Sequence, residues 1–338
     1  MALINNIAVL RKNHILSKHE QLVQGVIEGI EKGDFEIGDK LPSINTMVRE
    51  VGYARKTIVK AYEELKDRGL VESKKLKGYY IISQETKTTL KVALVLYAFQ
   101  SFHEEFYNTF RNALGNRYQI DVFFHHNNLQ IFETIISNIK GKYGKYVIAP
   151  IQNATIVPLL QDISPEKLLI IDRYLFLGKE YSYISQEFEK GIYTKLVELV
   201  DAIKQYDRFI LFVKEDTDYT PIGILRAFSK FLKTYDIEGS IQRSYTPNSV
   251  EKGTLYFIIN DNILWQVLRD CVRQHIVIGK DIGIFSHDDS ISKEIAFGGI
   301  TTSSTDFKEM AKKAADQVKY GHTIKTIMPF KLNRRNSL

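Results

Sequence analysis

Three sets of residues in this 338-residue chain have the types and spacing for chemistry. Asp172, Asp288 and Asp289 each follow an apolar run. Two carboxylates brought together could serve as acid and base for glycoside hydrolysis, or simply cap their loops. No supporting catalytic motif accompanies them. His125-His126 suggests a metal, but no Cys or acidic partner stands at ligand spacing, which favours a solvated loop. Cys271 shares an apolar helical stretch with Trp265 and Leu268, so it reads as core. His287 beside Asp288 reads as a pocket or packing residue, Gly298-Gly299 as a turn, and Arg334-Arg335 as a solvated end.

A different chemistry lies nearer the N-terminus. Arg55, Lys56, Thr57 and Lys60 cluster toward the start of a helix whose other face is Ile58, Ala61, Tyr62 and Leu65. A guanidinium forks to guanine or phosphate, and a threonine hydroxyl bonds phosphate. Between Lys40 and Tyr80 stand ten Lys/Arg and five acids, the electrostatic footprint of a DNA reader. The net charge of the whole chain, +6, carries no such message.

These side chains need elements to position them. Ser17-Lys-His-Glu20 has capping-box spacing, and Leu22, Val23, Val26, Ile27 and Ile30 follow at helical intervals up to Gly33. Residues 1 to about 16 read as a loosely specified lead-in. Pro42 and Ser43 open a second helix with Met47, Val48 and Val51 inward; Gly52-Tyr53-Ala54 turns into the third. Lys74-Lys75-Leu76-Lys77-Gly78 is a basic loop before a Tyr-Tyr-Ile-Ile strand. Helix, turn, helix and basic hairpin describe a winged helix-turn-helix, which places one helix in the DNA major groove. The expected DNA-binding residues are Ser43, Arg55, Lys56, Thr57, Lys60, Lys75, Lys77 and Gly78.

A polar stretch, residues 84–90, reads as a linker. Beyond it, short apolar strands alternate with helices: VALVLY, QIDVFF, YVIAPI, LLIIDRY, RFILFV, TLYFIIND and DIGIFSHDD. That alternation means an α/β domain with parallel sheets, in which ligands gather at carboxyl ends of strands. Pro150, Asp172-Arg173, Asn260-Asp261 and His287-Asp288-Asp289 all fall at such ends. The expected domains are residues 1–83, a winged helix-turn-helix, and 91–338, the α/β domain. One cysteine allows no intrachain disulfide and suits a reducing cytoplasm. The N-terminus shows no signal-peptide pattern, and no apolar run approaches a membrane span.

The GDKLPS stretch, Arg55-x-Thr57, the run Val59 to Leu65 and Gly69-Leu-Val-Glu72 resemble the GntR family of bacterial transcription regulators over residues 17–82. Asn45 and Leu76 depart from the family, which often has Arg and Gly there. LLIIDR (168–173), IINDN (258–262), IGIFSHDDS (282–290) and GGITTSSTDFKEMAKKAADQV (298–318) resemble the effector domain of LacI-type repressors. The pairing is similar to that of GntR-type arabinose repressors. It implies a two-lobed, periplasmic-binding-protein-like domain in which Asp172, Asn260 and Asp288 bond sugar hydroxyls without catalysis. Arg173 adds a donor or braces the loop. Ile224 stands where the family often places a ligand-gripping Arg, leaving that role to a group such as Tyr219. The loop after the first strand, Phe99-Gln100-Ser101-Phe102-His103, with Phe99, Gln100 and Ser101 foremost, is a further candidate for the pocket wall.

The chain thus reads as a cytoplasmic, homodimeric repressor controlled by a sugar or related polyhydroxy effector. Its partners are operator DNA and that small molecule, with no membrane, metal or cofactor and no enzymatic activity. Two rivals stay open: a DNA-binding head on an enzyme-like domain, such as a pyridoxal-phosphate aminotransferase, and a sugar-binding protein with no DNA role.

Overall fold

The structure is a computed structural model. It describes all residues except 1, 12–16, 75, 85, 87–89, 99–100, 116–117 and 214–219. The chain forms two compact units. One comprises residues 1–93 with the short segments 115–121 and 139–145; the other holds the remainder.

The first unit opens with helices α1 (Ala2–Leu10), α2 (Lys18–Glu31), α3 (Ile44–Val51) and α4 (Arg55–Asp67). An antiparallel hairpin follows, β1 (Val71–Lys74) and β2 (Gly78–Ile81). The expected lead-in is instead partly α1: Leu3 and Ile7 are buried against α2, where Gly25 gives Ile7 room. The apolar spacing is too short to reveal this helix; packing decides it. Ser17 and Glu20 form the capping box. Ile58, Ala61, Tyr62 and Leu65 are buried as expected, with Met47 and Val51 from α3.

The second part alternates strands and helices around two six-stranded sheets. The chain runs β3 (Leu90–Leu96), α5 (Ser101–Leu114), β4 (Tyr118–Phe124), α6 (Leu129–Ile139), β5 (Lys145–Ile148), α7 (Val157–Gln161), β6 (Leu168–Arg173) and β7 (Ser182–Gln186). It continues through α8 (Phe188–Glu198), α9 (Val200–Ile203), β8 (Arg208–Phe212), α10 (Ile222–Tyr235), β9 (Gly239–Gln242), β10 (Thr254–Ile258), α11 (Asp261–Arg273), β11 (Gly283–His287), α12 (Ile291–Ile295) and β12 (Thr301–Thr305). Last come α13 (Phe307–Tyr320), β13 (Lys325–Met328) and β14 (Phe330–Asn333). Strand β3 begins one residue inside the expected linker.

The first sheet has the order β13-β7-β6-β5-β3-β4 and the second β14-β12-β11-β10-β8-β9. Pairing of β5, β6, β7 and β13 is parallel, as is that of β9, β8, β10, β11 and β12; β14 runs antiparallel. The chain passes between the sheets three times: after β7, after β12 and after β13. Two lobes that share three crossovers can change their mutual angle without breaking either core. Strands β7, β9, β12, β13 and β14 were absent from the apolar pattern. The buried ones among them, SYISQ and TTSST, are polar strands: the hydroxyls of Ser182, Thr301, Thr302, Ser304 and Thr305 find partners inside the protein, while those of Ser185 and Ser303 have none among the described residues.

Cys271 is buried as core, but Trp265 is 37% exposed and does not share that packing. The C-terminal tail is not a solvated end. Arg335 makes paired bonds to Asp289 (2.7 and 2.8 Å), and buried Ser337 donates to Ile284 O (2.6 Å).

Candidate nucleic-acid interface and effector cleft

Helix α4 begins in an unusual way. Its N-cap is Ala54, which supplies no side-chain bond, and its first turn has no acid. The free N–H groups and the positive end of the helix dipole are left uncompensated. Arg55 and Lys56 add positive charge to that end, and both are exposed. Cations there oppose the dipole, so they add nothing to the stability of the helix itself. Arg55 Nη1 donates to Asn45 Oδ1 at 2.5 Å, which fixes the guanidinium across the turn. Asn45 thus positions an arginine. Thr57 is half-buried, and Lys60 is exposed one turn further on.

Ser43 is the N-cap of α3, its Oγ accepting from Thr46 N at 3.1 Å. At the wing, Leu76 is fully exposed with φ +61 and Gly78 has φ +106. Leu76 thus occupies a backbone conformation that favours glycine. Lys77 is exposed; Lys75 lies outside the described residues. Two further residues join this surface. Lys40 bridges to Tyr80 as a fragment of a third wing strand. The ammonium groups of Lys74 and Lys40 lie 4.7 and 5.9 Å from the centre of the Tyr80 ring. The lysine of GDKLPS was the sequence signal, missed because it precedes the helices.

In the two-lobed part, Asp172 is the penultimate residue of β6 and Asp288 follows β11; both are left-handed, with φ +65 and +55. Such strain in a non-glycine residue, though milder for Asp, persists where the surroundings enforce it. Lys293 supplies the enforcement at Asp288. Its buried ammonium donates to His287 O (2.7 Å) and Asp288 O (2.9 Å) and pairs with Asp261 (2.8 Å). Asp288 Oδ1 is buried without a hydrogen-bond partner among the described residues. Burial pushes this carboxyl up to about 7, against the pull of Lys293. Burial likewise raises Asp172, against Arg173. Neighbouring Asp289 is held low: burial opposes this, but the bonds from Arg335 and Thr302 prevail.

Gln186 joins the lobes. Its amide N–H donates to Asp172 Oδ1, and its Oε1 accepts from Thr305 Oγ1 at 2.7 Å. Gln186 ends β7 and Thr305 ends β12, so this bond ties two of the three crossovers. Arg173 lies over the Tyr97 ring at 4.1 Å, a buried cation–π contact. Tyr97 meets His125 edge-on at 4.7 Å. His125 is buried, not a solvated loop: it contacts Ala149 O at 3.1 Å and accepts from Asn127 N at 3.2 Å, and burial lowers its pKa to about 4. Both ring nitrogens are used, so its role is structural.

His103 differs. Its Nδ1 donates to Ala98 O at 2.7 Å, which leaves Nε2 a buried acceptor with no partner. Burial lowers its pKa to about 4 and that of His287 to about 3. Asn260 is half-buried, and its side-chain oxygen caps α11 by accepting from Asn262 N and Ile263 N. Ile224 is wholly buried in core. Ser101 is the first residue of α5; its side chain lies outside the described residues, as do Phe99, Gln100 and Tyr219. The structure thus brings Asp172, Arg173 and Asp288 into one electrostatic neighbourhood. Gln186, His287, Lys293 and His103 join it; His287 and His103 stood out in the sequence, Gln186 and Lys293 did not.

Among the described residues no helix is long and apolar enough to cross a membrane, and no group of His, Cys, Asp and Glu could hold a metal. Residues 18–81 match the family described as bacterial regulatory proteins, gntR family. The HTH-type transcriptional repressor YtrA of Bacillus subtilis is 39% identical over 72 residues, 21% of this chain and 55% of that protein. The chain therefore spans about half of that relative's length. A LacI family transcriptional regulator from Lactobacillus casei, solved with bound glucose, shares the fold with TM-score 0.63 at 12% identity, over 73% of this chain and 99% of that one. The trehalose repressor from Escherichia coli does so with TM-score 0.58 at 14% identity, over 72% and 99%. The chain thus carries a gntR-type helix-turn-helix domain at its N-terminus, beside a two-lobed fold shared with LacI-family regulators.

Proposed function

We propose that this protein is a DNA-binding transcriptional repressor whose operator affinity is set by a sugar or similar polyhydroxy effector. The observation that carries this reading is a pairing within one chain. An exposed cationic helix start with no compensating acid accompanies, at the strand ends of the two-lobed part, buried atoms of Asp288, His287 and His103 that lack partners among the described residues. The first suits phosphate and base edges, the second a small hydroxylated ligand.

In this account Arg55, Lys56, Thr57 and Lys60 enter the major groove, with Lys77, Gly78, Ser43 and Lys75 at the backbone. Asp172, Arg173, Asn260 and Asp288 bond the effector, walled by Phe99, Gln100, Ser101 and Tyr219. The protein acts as a homodimer, since two-fold symmetry lets two recognition helices meet two half-sites. Effector bonding at Asp172 reaches the crossovers through Gln186 and Thr305. The effector releases DNA because it binds better to the lobe angle that misfits the operator. Selection of an operator from random DNA, followed by anisotropy with a monosaccharide panel, tests this. The expected result is sequence-specific binding that one sugar weakens. Binding that ignores sequence contradicts the first half, and binding that ignores every sugar contradicts the second.

A further inference from the structure

Resting on the effector reading above, we propose that the effector is an amino sugar or similar polyol that sets a protonated amine on the Asp172 and Asp288 carboxylates. The argument is one of unmatched atoms. Asp288 Oδ1 is buried with no hydrogen-bond donor among the described residues. Asp172, 8% exposed, takes its bond from a neutral amide, that of Gln186. His287, 5% exposed, places Nε2 3.6 Å from Asp288 Oδ1. With its proton on Nε2, toward the carboxylate, the neutral ring would leave Nδ1, which has no partner among the described residues, as an acceptor. His103 Nε2 is a second bare acceptor, its tautomer fixed by Ala98.

The unmatched atoms of Asp288 and His103 are therefore acceptors, two acids stand in this neighbourhood, and the buried hydroxyls of Ser185 and Ser303 beside them can donate or accept. The nearby cations are engaged elsewhere: Lys293 with Asp261 and two carbonyls, Arg335 with Asp289, and Arg173 over Tyr97. The first turn of α10, Ile222 to Leu225, carries no charged side chain, and its Ile224 is buried. An ammonium brings three N–H donors and the missing charge, where a hydroxyl brings one donor and none. A buried carboxylate without a cation is costly, and a cationic ligand removes that cost.

The titratable and charged groups around Asp288 are Lys293 from α12, Asp261 from α11, Asp172 and Arg173 from β6, Asp289 beside it and the neutral His287. In the empty protein the carboxyl titrates at about 7, pushed up by burial. An ammonium binds the ionised form, so binding expels a proton wherever Asp288 is protonated. Affinity for the amine therefore rises with pH toward neutrality.

The test is thermal shift and calorimetry on the full chain with D-glucosamine, D-galactosamine, their parent hexoses and N-acetylglucosamine. The expected result is that at least one amino sugar binds about tenfold or more tighter than its parent and its N-acetyl form, and about tenfold tighter at about pH 7 than at about pH 5.5. Asp288→Asn should remove that preference, and its own unliganded melting shows whether it folds. Parent hexoses binding as tightly as the amines overturn the amine and leave the sugar-sensor reading intact. An unchanged preference in a folded Asp288→Asn overturns the placement. No binding by any member of the panel overturns both.

Discussion

The head and the cleft of this protein carry polar residues in opposite ways. In the head, Arg55, Lys56 and Lys60 are exposed, contiguous and on one helix. In the cleft, Asp172, Gln186, His287 and Lys293 are buried and come from separate elements. An exposed cation near a helix start needs no internal partner. A buried polar group needs one, so its role depends on whether the fold has already supplied it. Adjacent Asp288 and Asp289 show this. Asp289 is clamped by Arg335 and Thr302, whereas Asp288 has an oxygen with no donor. One carboxylate is spent on the fold, and the proposed effector would take the other.

The largest expected effect falls on the spent member. Arg335→Ala removes two charge-assisted bonds and leaves the half-buried Asp289 with its neutral partners Thr302 and Asn333 but without its clamping cation, which should cost about 3 kcal/mol of stability. Chemical denaturation measures it. A loss as small as that of an exposed pair would mean the tail is not holding the cleft loop.

Next comes the head. Arg55→Ala should weaken operator binding by about 1–3 kcal/mol with no change in effector affinity. Asn45→Ala should do part of the same, since it only holds the guanidinium. An Arg55→Ala variant with wild-type anisotropy would remove the winged helix from the account.

The open carboxylate should behave in the reverse sense to Asp289. Its folded pKa, about 7, lies above the ordinary 3.8. Its contribution to stability is thus full below about pH 3.8 and is lost as pH rises through about 7, because ionisation in a buried site opposes folding. Asparagine cannot ionise. Asp288→Asn should therefore melt higher than wild type near neutral pH, with a gap that widens from about pH 5 to about pH 8. A variant that melts lower at every pH would make Asp288 a second Asp289.

The smallest effects sharpen the wing. Lys40→Ala and Lys77→Ala should each lower the salt slope of DNA binding by about 1 if each meets a phosphate. Leu76→Gly should stabilise the head by up to about 1 kcal/mol by relieving a left-handed leucine. Salt titrations and melting curves read these out.

Legibility in the sequence followed the same division. The helices of the head announced themselves through Ser17-x-x-Glu20, the Pro42-Ser43 start and the stripe from Ile58 to Leu65, all local signals. The parallel strands were legible as apolar runs because both faces are buried. Helix α1 was not, since its nine residues draw on contacts with α2. Nor were β7 and β12, polar strands joined across the lobes by Gln186 and Thr305. The acids at the strand ends could be named from sequence. That Asn260 caps a helix, Asp289 grips the tail and His103 is left an acceptor could not, because each depends on a neighbour's geometry.

The central claim is that a ligand in the cleft governs the head. Operator affinity of wild type and Asp288→Asn, measured by anisotropy with and without a panel of sugars and amino sugars, tests it most directly. Both proteins should bind the operator equally when no ligand is present, and a ligand should release wild type while leaving Asp288→Asn bound. Loss of DNA binding by ligand-free Asp288→Asn, or equal release of both proteins, would contradict the account.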